Sequence, residues 1–318
     1  MLSLALALLA VTPVAEPELT FGAPIAYHNM TIVPVTTSAT GPFQAYTLLE
    51  RGIAQRSFAI RELDGNSDVA SVNEVEVKNT GKDPVFLLSG EMILGGKQDR
   101  ILQSDAIVPP DGKWIKVPVF CVEHGRWGGD KMEFGSGGAV AHSSLATAAL
   151  SGDQGAVWNE VARKNALEGT SNGTDTYRRT IQDAKLREKI KKHRDALKAQ
   201  LPRGRLAGFV FAVNGDVRIA DLFGNPVLLD ELQDKLLSAY VLEALEDEVD
   251  PNAKPMSAEA AAQFIGDGKK AAAKPSTTVG RAENTVKESD AMIVNESKDT
   301  STGVGTRGTY ISKKKRNK

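Results

Sequence analysis

One pair of adjoining segments constrains the fold more than any other part of the chain. Residues 206–213 (LAGFVFAV) and 216–223 (DVRIADLF) have strand composition, and they flank Asn214-Gly215. Asn-Gly is the preferred pair for the two-residue type I′ turn of a β-hairpin, since both residues tolerate a positive φ. The sequence therefore predicts an antiparallel hairpin over 206–223.

The chain changes character at about residue 139. Between 19 and 127, short runs of strand composition alternate with turn-forming groups such as NTGKDP at 79–84, at intervals that suit a sandwich or barrel. From 139 to 246, apolar residues recur with helical spacing on both sides of the hairpin. These patterns predict an α+β protein. A mainly antiparallel, sandwich-like N-terminal part is followed by helices and the hairpin, and both parts are expected to share one core.

Two long helices can be placed from their end signals. Thr174 or Asp175 is expected to cap a helix that ends near Leu201. A second helix is predicted over 226–246, with Asn225 as its N-cap. The two predicted helices lie on either side of the hairpin in the sequence.

The two ends of the chain carry different signals. Residues 1–15 are apolar but shorter than the ~20 residues of a membrane span. They fit a secretory signal cleaved after Ala15, which predicts export to the periplasm or the medium. The missing basic n-region keeps a cytoplasmic location as the alternative. At the other end, 247–279 is expected to be a linker with a short helix, and 280–318 to hold weak strands and a basic tail.

Composition excludes several classes of function. A formal net charge of -1 gives no overall field that would attract nucleic acid or an anionic membrane, so neither is expected as a partner. The single cysteine, Cys121, excludes a disulfide framework and a cysteine-based zinc cluster. It lies in an apolar run and is expected to be a buried, inert thiol. The four histidines have no metal-binding spacing, and no phosphate-binding glycine motif occurs, so we predict neither a metal nor a cofactor. A site built from Asp and Glu alone is the alternative that this spacing leaves open.

Residues 85–127 hold the densest group of polar side chains within otherwise apolar segments. If Gly95-Gly96 is a two-residue hairpin turn, Glu91 and Arg100 face each other across the ladder. A neighbouring strand at 114–122 would bring the residues that follow it into the same patch. The members of this predicted patch are Glu91, Lys97, Gln98, Arg100, Glu123, His124, Arg126 and Trp127.

The first interpretation of this patch is a binding module. Arginine side chains present a fork of N–H donors that suits carboxylates and phosphates. The ligand would therefore be small and anionic, of a nucleotide-like or phosphate-like kind. The ligand-binding residues would be Lys97, Gln98, Arg100, Arg126 and Trp127.

Two other interpretations compete with it. A hydrolase-like enzyme would use Glu91 or Glu123 as general base, or His124 as acid or base, with the cations stabilising charge in the transition state. Alternatively, the patch is a structural network in an exported interaction protein that binds no ligand. An enzyme requires a carboxylate that lines an open pocket, and a binder requires exposed cations. A structural network would instead be buried and mutually satisfied.

The same motifs resemble those of a known family. They are GE at 90–91, GGKQDR at 95–100, VP at 117–118 and VEHGRW at 122–127. Together they resemble the ADP-ribosylglycohydrolase- and rhodanese/phosphatase-associated protein domain, and the resemblance covers about residues 25–246. That family is named for its gene neighbours. The resemblance therefore implies a role near ADP-ribose or NAD-derived metabolites and carries no mechanism.

The chain departs from the family pattern in two respects. Asp99 stands where the family more often has asparagine, which adds a negative charge to the patch and weakens any anion site there. The export signal at 1–15 would also separate the protein from cytoplasmic NAD chemistry. Both departures argue against a role in that metabolism for this chain.

Overall fold

A computed structural model describes residues 17–63, 73–126 and 132–314. The predicted export signal at 1–15 and the site candidate Trp127 lie outside these residues. None of the described helices combines the length and the apolar character that crossing a membrane requires. The described helices are α1 (Leu49–Ala54), α2 (Ser143–Ser151), α3 (Gln154–Leu167), α4 (Arg178–Gln182), α5 (Ala184–Lys198), α6 (Pro226–Ala244) and α7 (Ala258–Lys270).

Strands dominate the two ends of the described chain. The N-terminal strands are β1 (Leu19–Phe21), β2 (Ile25–Tyr27), β3 (Met30–Thr37), β4 (Thr47–Leu48), β5 (Phe58–Glu62), β6 (Glu74–Asn79), β7 (Val85–Leu87), β8 (Glu91–Gly96), β9 (Arg100–Leu102), β10 (Ala106–Val108), β11 (Trp114–Cys121) and β12 (Met132–Val140). The later strands are β13 (Leu206–Val213), β14 (Asp216–Phe223), β15 (Ala272–Ala273), β16 (Thr277–Val279), β17 (Ala282–Glu288), β18 (Met292–Asp299) and β19 (Gly305–Ser312). This arrangement confirms the α+β class and the strand-rich N-terminal part.

The strands form three sheets. The largest has ten strands, all antiparallel, in the order β1-β3-β13-β14-β19-β18-β17-β15, with β2 beside β3 and β16 beside β17. A six-stranded sheet has the order β12-β8-β9-β11-β6-β5, and a three-stranded sheet has the order β10-β7-β4. The motif segments belong to the six-stranded sheet.

The predicted hairpin lies at the centre of the ten-stranded sheet. β13 and β14 are joined by Asn214 (φ 48°) and Gly215 (φ 80°), as a type I′ turn requires. Every residue of β13 is buried, because the sheet is covered on both faces. Phe209 and Phe211 pack with α6, whereas Val210 packs with α7 on the opposite face.

One predicted helix is interrupted. Instead of a single helix from Thr174 or Asp175, the chain forms α4 and α5, which are separated at Asp183. Asp183 is extended (ψ 124°), and its side chain accepts a hydrogen bond from the backbone N–H of Leu186, so it caps α5. The second predicted helix is confirmed as α6, whose N-cap is Asn225.

The C-terminal strands are longer than the weak strands expected there. β18 and β19 have eight residues each, and β19 pairs with β14 of the central hairpin. Their inward faces carry hydrogen-bonded polar residues: Asn295 donates to Asn284, and Ser297 donates to Asp105. Because a polar inward face lacks apolar alternation, these strands leave a weak hydrophobic pattern in the sequence.

Candidate functional site

The motif hairpin has a different register from the one predicted. Ile93, not Glu91, lies opposite Arg100, so the predicted Glu91–Arg100 pair is wrong. The expected turn glycines lie inside β8, next to β12. Gly95 has a φ of +102°, and a Cβ at this position would overlap the carbonyl oxygen of Glu133. The glycine is therefore needed for close strand packing and not for the turn.

Glu91 points away from the other motif residues and towards α6. It is 1% exposed, its carboxylate pairs with Lys235, and its Oε2 accepts a hydrogen bond from the N–H of Leu88 at 3.1 Å. Lys235 also lies 2.7 Å from Glu50. Burial raises the pKa of Glu91, although Lys235 opposes the shift. Glu91 thus has the perturbed pKa of a general acid or base, but it is enclosed by its partners.

Asp99 is the centre of the remaining motif network. It is 1% exposed, and Arg178 binds it with both Nε (2.7 Å) and Nη2. Its carboxylate also accepts hydrogen bonds from Thr176 Oγ1 and from the backbone N–H of Gly95, both at 3.0 Å. Arg126 approaches the same carboxylate at 3.4 Å. The negative charge of Asp99 is therefore fully compensated.

Glu123, which follows the end of β11, extends this network. Its Oε2 accepts hydrogen bonds from Arg126 Nε (2.9 Å) and from the N–H of Asp99 (3.1 Å). Its Oε1 accepts a hydrogen bond from Thr174 Oγ1 at 3.1 Å. Arg126 also donates from Nη1 to the carbonyl of Gly96 at 2.8 Å. Both oxygens of Glu123 are engaged, which argues against its availability as a general base.

Arg100 has a separate partner. It is fully buried and forms two parallel hydrogen bonds with Glu62, at 3.1 Å from Nη1 and 2.9 Å from Nη2. Cys121, which lies opposite Arg100 on β11, has a buried thiol, and burial raises its pKa. A raised pKa disfavours the thiolate, in keeping with the inert role expected for this cysteine.

Three further predicted residues differ in their surroundings. Lys97 is half-buried, and its ammonium forms no ion pair within the described ranges. Gln98 donates from Nε2 to the carbonyl of Glu123 at 2.6 Å, whereas its buried Oε1 has no hydrogen-bond partner there. His124 is exposed and meets Trp158 edge to face, with ring centroids 4.4 Å apart.

The sequence interpretation missed four partners of the motif residues. Glu62 ends β5, while Thr174, Thr176 and Arg178 belong to the segment that precedes and begins α4. Thr174, one of the two predicted helix caps, instead donates a hydrogen bond to Glu123. The network around Asp99, Glu123 and Arg100 is buried and its carboxylates are paired with cations, as in a structural network. Within the described residues, Arg100 Nε and Gln98 Oε1 are its two buried polar atoms without a hydrogen-bond partner.

A second buried polar centre lies between α2, α3 and α6. His142 is fully buried, with Nδ1 2.8 Å from the Tyr177 hydroxyl and Nε2 2.7 Å from Glu160. Burial lowers the pKa of His142 and favours its neutral form. This centre was not predicted, because His142 has no neighbouring motif in the sequence.

Part of this centre has the composition of a metal site. Ligand-type atoms of His142, Glu243 and Glu246 lie within 4.8 Å of one another. However, the Lys164 ammonium lies 2.7 Å from Glu246, and Arg163 lies 2.8 Å from the same carboxylate. The protein's own cations already neutralise this carboxylate, so we assign no metal to it.

Glu160 should make stability depend on pH. Burial alone raises its pKa, but hydrogen bonds from Arg163 and His142 outweigh this and lower the pKa from 4.5 to about 2. The folded state therefore binds fewer protons, so the stabilisation is present above pH ~4.5 and is lost as pH falls towards 2. Glu160→Gln should be less stable than wild type at pH 7, and this difference should shrink below pH 4.5. Denaturant unfolding at pH 7, 4.5 and 3 measures the stability of both proteins. A difference in stability that is the same at all three pH values would contradict the lowered pKa of Glu160.

An open cleft of about 1190 Å³ adjoins this centre. It lies between the start of α2, the end of α6, the turn at Asn214 and the end of β19. Arg218, on β14, lines it and is only 7% exposed. Its Nε has no hydrogen-bond partner in the described part of the chain, and its Nη2 is 3.5 Å from Asp247. A buried guanidinium normally has closer partners, because burial of an unpaired charge is unfavourable.

Fold and site together define an α+β protein with a closed motif network and a separate open cleft. The chain belongs to the ARG and Rhodanese-Phosphatase-superfamily-associated Protein domain family, whose model matches residues 18–305. This match confirms the resemblance that the motifs indicated. No curated protein and no solved structure matches the chain.

Proposed function

We propose that this protein is a binding module for a small ligand, and that an anionic group of the ligand binds Arg218 in the cleft. The observation that carries the proposal is the state of this side chain, which is buried, lines a ligand-sized cleft and has one long carboxylate contact. Such clefts are the usual place for a small-molecule site. A phosphate or carboxylate would supply the acceptors that the guanidinium lacks.

The cleft is better supported than the motif network as an anion-binding site, because its arginine has no close carboxylate partner. Arg100 and Arg126 are already held by Glu62 and Glu123 at 2.9 Å or less. A ligand anion would have to displace those carboxylates and leave them buried without partners, which is costly. Arg218 requires no such exchange, since its contact with Asp247 is 3.5 Å long.

A second candidate site remains at the motif residues. Lys97 and Gln98 support it, because the ammonium of Lys97 has no ion pair and Gln98 Oε1 has no partner among the described residues. In this alternative, Lys97, Gln98, Arg100, Arg126 and Trp127 would bind the anionic ligand at the edge of the network. The hydrolase-like alternative, with Glu91 or Glu123 as general base, has less support. Burial raises the pKa of Glu91, but its carboxylate is 1% exposed and pairs with Lys235, and both oxygens of Glu123 are engaged.

A thermal-shift screen of the full chain tests the proposal. The probes are inorganic phosphate, ADP-ribose, AMP, acetate and the twenty amino acids. A ligand at 100 times its Kd should stabilise the folded protein by ~2.7 kcal/mol. Three variants are compared with wild type: Arg218→Gln, Lys97→Met and, as the matched control, Arg203→Gln at an exposed arginine. Each shift is measured against that variant's own ligand-free Tm.

We expect at least one probe to stabilise wild type, Lys97→Met and Arg203→Gln, and to lose its effect in Arg218→Gln. If the stabilisation is lost in Lys97→Met alone, the ligand binds at the motif residues and not in the cleft. If no probe stabilises wild type, the binding proposal fails, and the structural-network interpretation takes its place.

A further inference from the structure

The cleft is lined by more acidic than basic side chains. Among the described residues, four lining side chains are basic and six are acidic. The acidic ones are Asp216, Glu243, Glu246, Asp247, Glu248 and Asp250. A purely anionic ligand at Arg218 would therefore meet a surrounding surplus of negative charge.

Three of the four basic side chains are already paired. Arg163 binds Glu246 at 2.8 Å, Lys313 binds Glu288 at 2.5 Å, and Lys314 pairs with Asp216. Of these four cations, Arg218 is the one whose carboxylate contact is long, at 3.5 Å from Asp247. On the acidic side, the exposed Glu248 and Asp250 form no ion pair within the described ranges.

Asp247 is the carboxylate next to Arg218. The 3.5 Å between Arg218 Nη2 and Asp247 Oδ2 is too long for a strong charge-assisted hydrogen bond, so both groups retain bonding capacity. Burial raises the pKa of Asp247, and the nearby Glu243 raises it further, against the opposing effects of Arg218, Arg163 and Lys164. A ligand ammonium in direct contact with Asp247 would favour its charged carboxylate and so oppose the effect of burial.

We infer that the ligand is a zwitterion of the α-amino acid type, with its carboxylate on Arg218 and its ammonium on Asp247; this inference rests on the binding function proposed above. The two protein groups are neighbours of opposite charge, as are the two groups of an α-amino acid. One ligand can therefore satisfy both, whereas a phosphate satisfies only Arg218. The ammonium also brings positive charge to the acidic side of the cleft.

Two exposed apolar residues that line the cleft indicate the kind of side chain that the ligand carries. Leu167 and Val249 are 57% and 56% exposed, and both line the cleft. Single exposed apolar residues are common, but two at the edge of one cleft provide apolar surface for a ligand. The ligand class is therefore an α-amino acid with an apolar side chain, such as leucine or phenylalanine.

Calorimetric titration of the full chain with three matched probes tests the inference. Leucine carries both charges, N-acetyl-leucine lacks the ammonium, and leucinamide lacks the carboxylate. We expect leucine to bind wild type about tenfold or more tightly than either analogue. Asp247→Asn should weaken the binding of leucine by about tenfold and should not weaken the binding of N-acetyl-leucine, since only leucine uses Asp247 as an acceptor. Asp267→Asn, at an exposed aspartate on α7, is the matched control and should change the affinity for neither leucine nor N-acetyl-leucine.

The outcomes separate this inference from the function on which it rests. If leucine and N-acetyl-leucine bind equally, and Arg218→Gln weakens both, the zwitterion inference fails and anion binding at Arg218 stands. The zwitterion inference also fails, and anion binding again stands, if phosphate or ADP-ribose binds through Arg218 and leucine does not bind. If none of these probes depends on Arg218, both the inference and the proposed function fail.

Discussion

Replacing Asp99 with alanine should lower the free energy of unfolding by about 3–5 kcal/mol, the usual cost of removing one partner from a buried ion pair. The carboxylate is 1% exposed and holds Arg178, Arg126 and Thr176 together with the N–H of Gly95. Without it, the backbone N–H of Gly95 loses its acceptor, and two guanidiniums lose their shared carboxylate. Urea unfolding followed by circular dichroism measures the loss.

A matched variant shows whether the loss of stability is specific to the buried network or follows from removing any aspartate. Asp111→Ala removes an exposed aspartate whose ion pair with Lys113 is 3.7 Å long, so it should cost no more than ~1 kcal/mol. A double-mutant cycle between Asp99→Ala and Arg178→Ala should give a large coupling energy, because the two side chains share two hydrogen bonds. If Asp99→Ala costs no more than Asp111→Ala, the motif is not a structural network.

The parts of the fold that were predictable depend on local chemistry. The hairpin of β13 and β14 is specified by Asn214-Gly215, and α6 is specified at its start by Asn225. The break between α4 and α5 has an equally local cause, the capping residue Asp183, but the continuous apolar stripe concealed it. Turn and cap residues thus carry more positional information here than periodicity does.

The site was less predictable, because its partners are distant in the sequence. Arg178 lies 79 residues after Asp99, and Glu62 lies 38 residues before Arg100, so no spacing rule connects them. Gly95 has two possible roles in a sequence, in a turn or in a close strand contact, and only the position of β12 decides between them. Arg218 belongs to a confirmed strand, yet the absence of a described hydrogen-bond partner for its Nε is a property of the assembled cleft.

Arg307 marks a second place where removing one side chain should be costly. It is buried on β19 and bridges two fully buried carboxylates, Asp221 at 2.5 Å and Asp105 at 3.0 Å. Asp221 belongs to β14, whereas Asp105 immediately precedes β10 of the three-stranded sheet. The guanidinium therefore connects the two sheets, and Tyr240 from α6 completes the group by donating to Asp221.

Arg307→Met should lower the free energy of unfolding by about 3–5 kcal/mol at pH 7, because it leaves two uncompensated carboxylates in the interior. Urea unfolding followed by circular dichroism measures the loss. Lys298→Met, at a half-exposed pair with Glu283, is the control and should cost ~0–1 kcal/mol. A loss in Arg307→Met as small as that of the control would show that Asp105 and Asp221 do not depend on Arg307.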